Sequence, residues 1–113
     1  MVKIMHFSEI PLEEAKESGA KHVYIRWLIS KKDGAPNFAM RLFEVSVNGN
    51  TPLHTHPWEH EVFILEGKAK IIVEDREYHA EEGYIAYIPP NVKHSFINVG
   101  DKTLKFLCII PIT

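Results

Sequence analysis

From Lys21 onward the chain is a succession of short β-branched and aromatic runs, each stopped within about ten residues by Gly, Pro, Asn or Asp. This spacing limits the fold more than any other feature. Val23-Tyr24-Ile25-Arg26-Trp27-Leu28-Ile29 ends at Asp33-Gly34-Ala35-Pro36, and Phe38 to Val47 ends at Asn48-Gly49-Asn50. His60 to Leu65, Lys68 to Val73, Glu77 to His79, Tyr84 to Ile88, His94 to Val99 and Thr103 to Ile110 follow, with turns at Gly67, Asp75-Arg76 and Pro89-Pro90-Asn91. Such a series predicts an all-β sandwich or barrel. The one helical candidate is Pro11 to Ser18, opened by Pro, acidic in its first turn and closed by Gly19. With no repeat and no low-complexity linker, residues 1–113 read as one domain: an N-terminal arm and edge strand over 1–36, and a barrel over 37–113.

Composition removes several function classes. A net charge of −2 offers neither the basic footprint of a nucleic-acid binder nor a polybasic membrane anchor. No apolar run reaches the length of a membrane span, and the N-terminus lacks the long apolar stretch of a secretory signal. Cys108 is the sole cysteine, which fits a reducing cytoplasm. The excess of Glu over Asp and of Lys over Arg hints at a thermophilic source. In the His60 run Val62 and Ile64 share one face while Phe63 and Leu65 share the other. An outer apolar face needs cover from the N-terminal segment, a second subunit or both, so a homodimer is expected.

Three of seven histidines crowd into His54-Thr55-His56-Pro57-Trp58-Glu59-His60. On a strand, residues i and i+2 point the same way, so His54 and His56 can grip one ion from one side. Pro57 turns the chain, and His60 can return from the next strand. Imidazole suits divalent transition metals. His6, His22 and His79 have no such spacing and are expected to face solvent.

Gly49 to Gly67 resembles the first cupin motif, G-x5-H-x-H-x3/4-E-x6-G, and Gly83 to Asn98 resembles the second, G-x5-P-x-G-x2-H-x3-N. Gly83, Pro89, His94 and Asn98 stand at the second motif's offsets, and fifteen residues, 68 to 82, separate the motifs. Four residues rather than five separate Gly49 from His54, and Asn91 replaces the second-motif glycine, a place where Asn tolerates left-handed backbone. Counting back from Gly67 places His60 where the family has its glutamate ligand. Glu61 is next door, but strand parity turns it outward when residue 60 turns inward. The resemblance is to small microbial cupins with an all-histidine site. It implies a double-stranded β-helix (jelly-roll barrel) with a short N-terminal arm, and one divalent metal ion per chain on His54, His56, His60 and His94. Manganese or iron is favoured, with nickel, copper or zinc possible.

Parity with His94 aims Phe96 into the barrel and makes Asn98 a turn anchor. In the last strand the uncharged face carries Phe106 and Cys108 inward, and Trp58 can rim the cavity between ligands. Trp58, Phe96, Phe106 and Cys108 are therefore the candidate contacts for a small-molecule ligand. Cys108 reads either as a small buried hydrophobe or as a soft atom near the metal. Arg41 could bind a substrate carboxylate, or sit at the surface or an interface paired with Glu44 or Glu61.

Four neutral imidazoles leave an ion its full charge, and octahedral coordination leaves two adjacent positions. That suits oxygen activation by a redox metal or Lewis-acid activation of an enolisable substrate. The expected function is a metal-dependent oxygenase-type enzyme, a dioxygenase or an isomerase, on an aromatic or enediol-like molecule. The alternative is a non-catalytic small-molecule or sugar-binding or sensor cupin. No acid–base residue beyond the ligands is singled out, and fold alone does not choose.

Overall fold

The computed structural model describes residues 1–112. Nine strands follow one another: β1 (Glu13–Glu14), β2 (Lys21–Ile29), β3 (Phe38–Asn50), β4 (His60–Glu66), β5 (Lys68–Val73), β6 (Arg76–Glu81), β7 (Ile85–Ile88), β8 (His94–Asn98) and β9 (Leu104–Pro111). They form one curled antiparallel sheet, ordered β6-β5-β8-β3-β9-β4-β7, with β2 added along β3 and β1 along β2. The 13-residue β3 makes the closure possible. Its first eight residues pair with β9, and its last, Asn50, crosses to β8. The architecture is an all-β jelly-roll barrel.

Pro11 to Ser18 is not helical. Glu13 and Glu14 pair antiparallel with Ile25 and Tyr24, and the only helical turns among the described residues are 3-10 segments at Phe7–Glu9 and Lys31–Asp33. Eight residues without an apolar stripe cannot offset the nucleation cost of a helix, whereas an open edge of β2 offers ready hydrogen bonds.

Register stacks the inward residues of the β2-β3-β9-β4 face in rows. Trp27, Arg41, Cys108 and Val62 are successive neighbours in one row; Ile25, Phe43, Phe106 and Ile64 form the next; Val23, Val45 and Leu104 form a third. Phe106, Ile64, Leu104, Val23 and Val45 are fully buried and fill one end of the barrel. A ring stack crosses the interior above them: Phe43 on Phe106 at 5.0 Å and Phe106 on Phe96 at 4.6 Å between centroids.

The motif residues outside the histidines hold turns. Gly67 sits at φ +92°, where an added Cβ would lie 2.9 Å from Leu104 Cα, so the turn needs both glycine's backbone freedom and its missing side chain. Asn91 adopts φ 65°, the left-handed conformation expected of it. Buried Asn98 donates through Nδ2 to the carbonyls of Val45 and Lys102 and accepts the Gly100 N–H, all at 2.9 Å.

The N-terminal arm lies on the outside of β2, where Arg26 donates to the Ile10 carbonyl and sits 5.7 Å from the Phe7 ring centre. On the outer face of β4 and β7, by contrast, Phe63, Ile85 and Tyr87 stay exposed. No helix among the described residues is long and apolar enough to cross a membrane.

Candidate metal centre

A cross-barrel staple presents the histidines. Thr51 N–H donates to the Phe96 carbonyl, Phe96 N–H to Thr51 Oγ1 (2.7 Å), and Ser95 Oγ to the Thr51 carbonyl (2.7 Å). One step on, His54 and His94 exchange both backbone hydrogen bonds, at 3.1 and 3.0 Å. The Pro57 loop returns past Asn91, whose N–H donates to the His56 carbonyl, and β4 begins at His60.

The four rings come together at the open end of the barrel. Centroid separations are 4.2 Å for His54–His56, 5.2 Å for His54–His94, 5.4 Å for His56–His60, 6.2 Å for His56–His94 and 4.6 Å for His60–His94. Imidazoles sharing an ion at a metal–nitrogen distance of roughly 2.1 Å have centroids roughly 4.5 Å apart when adjacent and 6.4 Å when opposed. The rings therefore occupy the right volume. Among the described residues, however, no group of three or more His, Cys, Asp or Glu side chains is placed so that it could hold a metal ion as it stands. What the fold supplies is ring position.

Outer partners orient two rings. His54 Nδ1 lies 2.7 Å from Glu17 Oε2, and His94 Nδ1 lies 2.9 Å from the Val92 carbonyl, which leaves Nε2 of each as the nitrogen available to an ion. His56 stacks on Trp58 at 4.5 Å. Burial, then the neighbouring His94 and the Arg41 charge, hold His60 down to about 3. Burial also lowers His94, against the pull of the Val92 carbonyl, and lowers His56, reinforced by His54 and His94. At neutral pH these three rings keep free lone pairs, the form a metal requires. Glu61 is exposed on the other face of β4, opposite Tyr87.

A cavity of about 190 Å³ adjoins the rings. Trp58, Phe96, Phe106 and Cys108 all line it, as do Trp27, Phe43 and Arg41. The surface alternative for Arg41 does not hold. Its Nη2 donates to Cys108 Sγ at 3.1 Å, and its guanidinium lies 4.8 Å from the Phe43 ring centre and 5.4 Å from that of Trp27. Glu44, one residue out of phase on the opposite face, pairs with Arg26 instead. Burial pushes the Cys108 thiol up, with Arg41 partly offsetting this, so it stays a neutral thiol. Trp27, Phe43 and Glu17 were not among the candidates drawn from the sequence. Inward parity with Arg41 points to Phe43, but Glu17 had no signal while its segment read as a helix.

Only three buried side-chain polar atoms among the described residues lack a hydrogen-bond partner: Arg41 Nε, Trp58 Nε1 and His60 Nδ1. All three residues line this one cavity. Native proteins leave few such atoms, and clusters of them mark places where something else binds. A larger groove of about 710 Å³ shares Trp27, Trp58 and Ile110 with the cavity, but it holds no histidine.

The sequence profile of the cupin domain matches residues 41–110, a span that holds every histidine of the site. The chain belongs to the cupin domain family. Over its full length this cupin superposes on 81% of the polyketide cyclase RemF from Streptomyces resistomycificus, with a TM-score of 0.94 and 37% identity. It is 35% identical over 65 residues to a protein of Methanocaldococcus jannaschii, covering 57% of this chain and 52% of that one. It is 32% identical over 109 residues to a glucose-6-phosphate isomerase of Thermococcus litoralis, covering 84% of this chain and 57% of that one. The chain thus spans little more than half the length of the curated relatives it matches.

Proposed function

We propose that His54, His56, His60 and His94 hold one divalent transition metal ion, and that the adjoining cavity takes up an oxygen-rich aromatic or polyketide-like small molecule for reaction there. The observation that carries this reading is the convergence of four imidazoles and three unsatisfied buried polar atoms on one aromatic-walled cavity. The bound ion would supply Lewis-acid polarisation of a substrate oxygen. Glu17 and the Val92 carbonyl orient two of the rings, Trp58 stacks on a third, and Phe43, Phe106 and Phe96 give the cavity an aromatic wall.

Two reaction types share this site. Similarity to a polyketide cyclase favours Lewis-acid chemistry on an enolisable carbonyl compound. The oxygenase expectation needs the same ion to be redox-active, with manganese or iron as the first candidates. The rings of Trp27, Phe43, Trp58, Phe96 and Phe106 in the lining favour a flat aromatic substrate body over the sugar of the isomerase relative.

Elemental analysis of tag-free protein purified without added metal should find about one transition-metal ion per chain, and His60→Ala should remove most of it. Absence of metal from the tag-free protein sinks the proposal. Turnover of phenols and 1,3-diketones with and without oxygen uptake then separates oxygenase from Lewis-acid enzyme. Saturable binding with neither activity would return the non-catalytic cupin reading. We also propose that a second copy covers Phe63, Ile85 and Tyr87. Light scattering should report about twice the chain mass of 13.0 kDa, falling to one chain in Ile85→Lys. The lone buried Cys108 supports a reducing compartment such as the cytoplasm.

A further inference from the structure

We infer that Arg41 is the anion-recognising group of the cavity, and that the ligand carries a carboxylate on a flat aromatic body. This rests on the small-molecule reading above and adds a charge requirement to it.

A guanidinium drawn partly out of water needs a counter-charge or a full set of acceptors. Arg41 has neither. The salt bridges among the described residues do not include it, and Nε is buried without a partner. Each nearby carboxylate is committed or turned away: Glu44 to Arg26 on the outer face, Glu17 to His54, and Glu61 into solvent. Cys108 offers Arg41 a neutral sulfur. The rings of Phe43 and Trp27 hold the guanidinium by cation–π contact, which fixes its plane while supplying no negative charge.

Such a pre-oriented, uncompensated fork suits bidentate pairing with a carboxylate. The aromatic body follows from the lining, to which Trp27, Phe43, Trp58, Phe96 and Phe106 all contribute rings. Positive charge continues outward. The larger groove beyond Trp27 and Trp58 is lined by Lys3, Lys31 and Lys32 against Glu13 and Asp33, with Lys3 paired to Asp33, so the approach to the cavity carries a small positive excess.

The probes are 2-naphthoate and its neutral isostere 2-naphthamide, measured by calorimetry on the protein as purified and after chelator treatment. Wild type should prefer the acid by about ten-fold or more in both metal states. Arg41→Met should bring the two probes to parity while amide binding and metal content persist. Arg41→Lys keeps charge but not the fork, so it should lose the preference several-fold; it decides the matter if the Met variant folds poorly by circular dichroism. No acid preference in wild type, including no binding of either probe, overturns the inference. So does an undiminished preference in the Arg41 variants, which would move the anchor to the metal or to Lys31 and Lys32. The metal reading fails in a different way, through absent metal, and leaves the chelator-treated ratio standing.

Discussion

The two ends of the barrel interior are made by the same strands and are opposites in chemistry. At the closed end Val23, Val45, Leu104 and Ile64 interdigitate with almost no exposure. Four residues along the same strands, the inward positions become Arg41, Cys108 and His60, the space opens into a cavity of about 190 Å³, and buried polar atoms lack partners. Strand periodicity keeps every one of these residues facing in, so nothing in the backbone distinguishes the ends. The difference lies wholly in side-chain choice. It teaches that the closed end supplies the stability that lets the open end remain unsatisfied.

The sharpest way to break this division is to cut at its boundary. Phe106 is 1% exposed and stacks on both Phe43 and Phe96, so it belongs to the packed end and to the cavity floor at once. Phe106→Ala should lower unfolding free energy by about 3–5 kcal/mol in denaturant titration. Metal content should stay full, because no ring of the histidine cluster loses its backbone staple. If metal is lost along with stability, the two ends are one cooperative unit and the division is wrong.

An effect that is small near neutral pH and grows only in acid tests the open end alone. His60 is held at about 3, below the ordinary histidine value, because burial and its neighbours disfavour the charged ring. The unfolded chain therefore binds a proton near pH 6.5 that the folded chain refuses. Stability is fully present above about pH 6.5 and falls as the pH drops toward 3, by up to about 1.4 kcal/mol per pH unit for this group. His94 and His56 are lowered as well and add in the same direction. Metal-free protein should show this acid loss in its melting temperature, and His60→Ala should flatten it. Equal slopes in the two proteins would mean that His60 is not shielded from solvent.

At the closed end, and smaller again, is the turn anchor. Asn98→Ala leaves the Val45 and Lys102 carbonyls and the Gly100 N–H without a shared partner, which should cost about 1–3 kcal/mol with metal content unchanged. Asn98 also shows what was legible beforehand. Its motif offset identified the position, and parity with His94 put it inward. The strand series and the histidine positions were legible for the same reason: period-two patterning and short-range spacing are local. Arg41 was not. Phe38 to Phe43 is apolar on both faces, so parity alone could not say which face the arginine shares. The answer comes from its register with Cys108, 67 residues away. Glu17 was hidden because an acidic, proline-led octet resembles a helix start until β2 offers it an edge.

The smallest expected effect compares the ends atom for atom. Cys108→Val and Val45→Ile each add one heavy atom to an inward side chain of the same sheet, at positions 3% and 0% exposed. Burial fraction therefore predicts the same outcome for both. Packing predicts different ones. Val45 is flanked in register by Val23 and Leu104, and its Cγ1 lies 3.0 Å from where a Cβ on Gly49 would stand. An extra methylene there must move backbone or force a rotamer, at about 1–3 kcal/mol. Cys108 borders the cavity, so the added methyl has space. The loss is one weak Arg41–Sγ hydrogen bond, and Val stays apolar like the neutral thiol it replaces. Its stability change should stay below about 1 kcal/mol, with metal content unaltered. Chemical denaturation of the two variants side by side measures the contrast. Equal penalties would show that the open end is packed as tightly as the closed one, leaving the cavity no room for a ligand without rearrangement of Trp58 or Arg41.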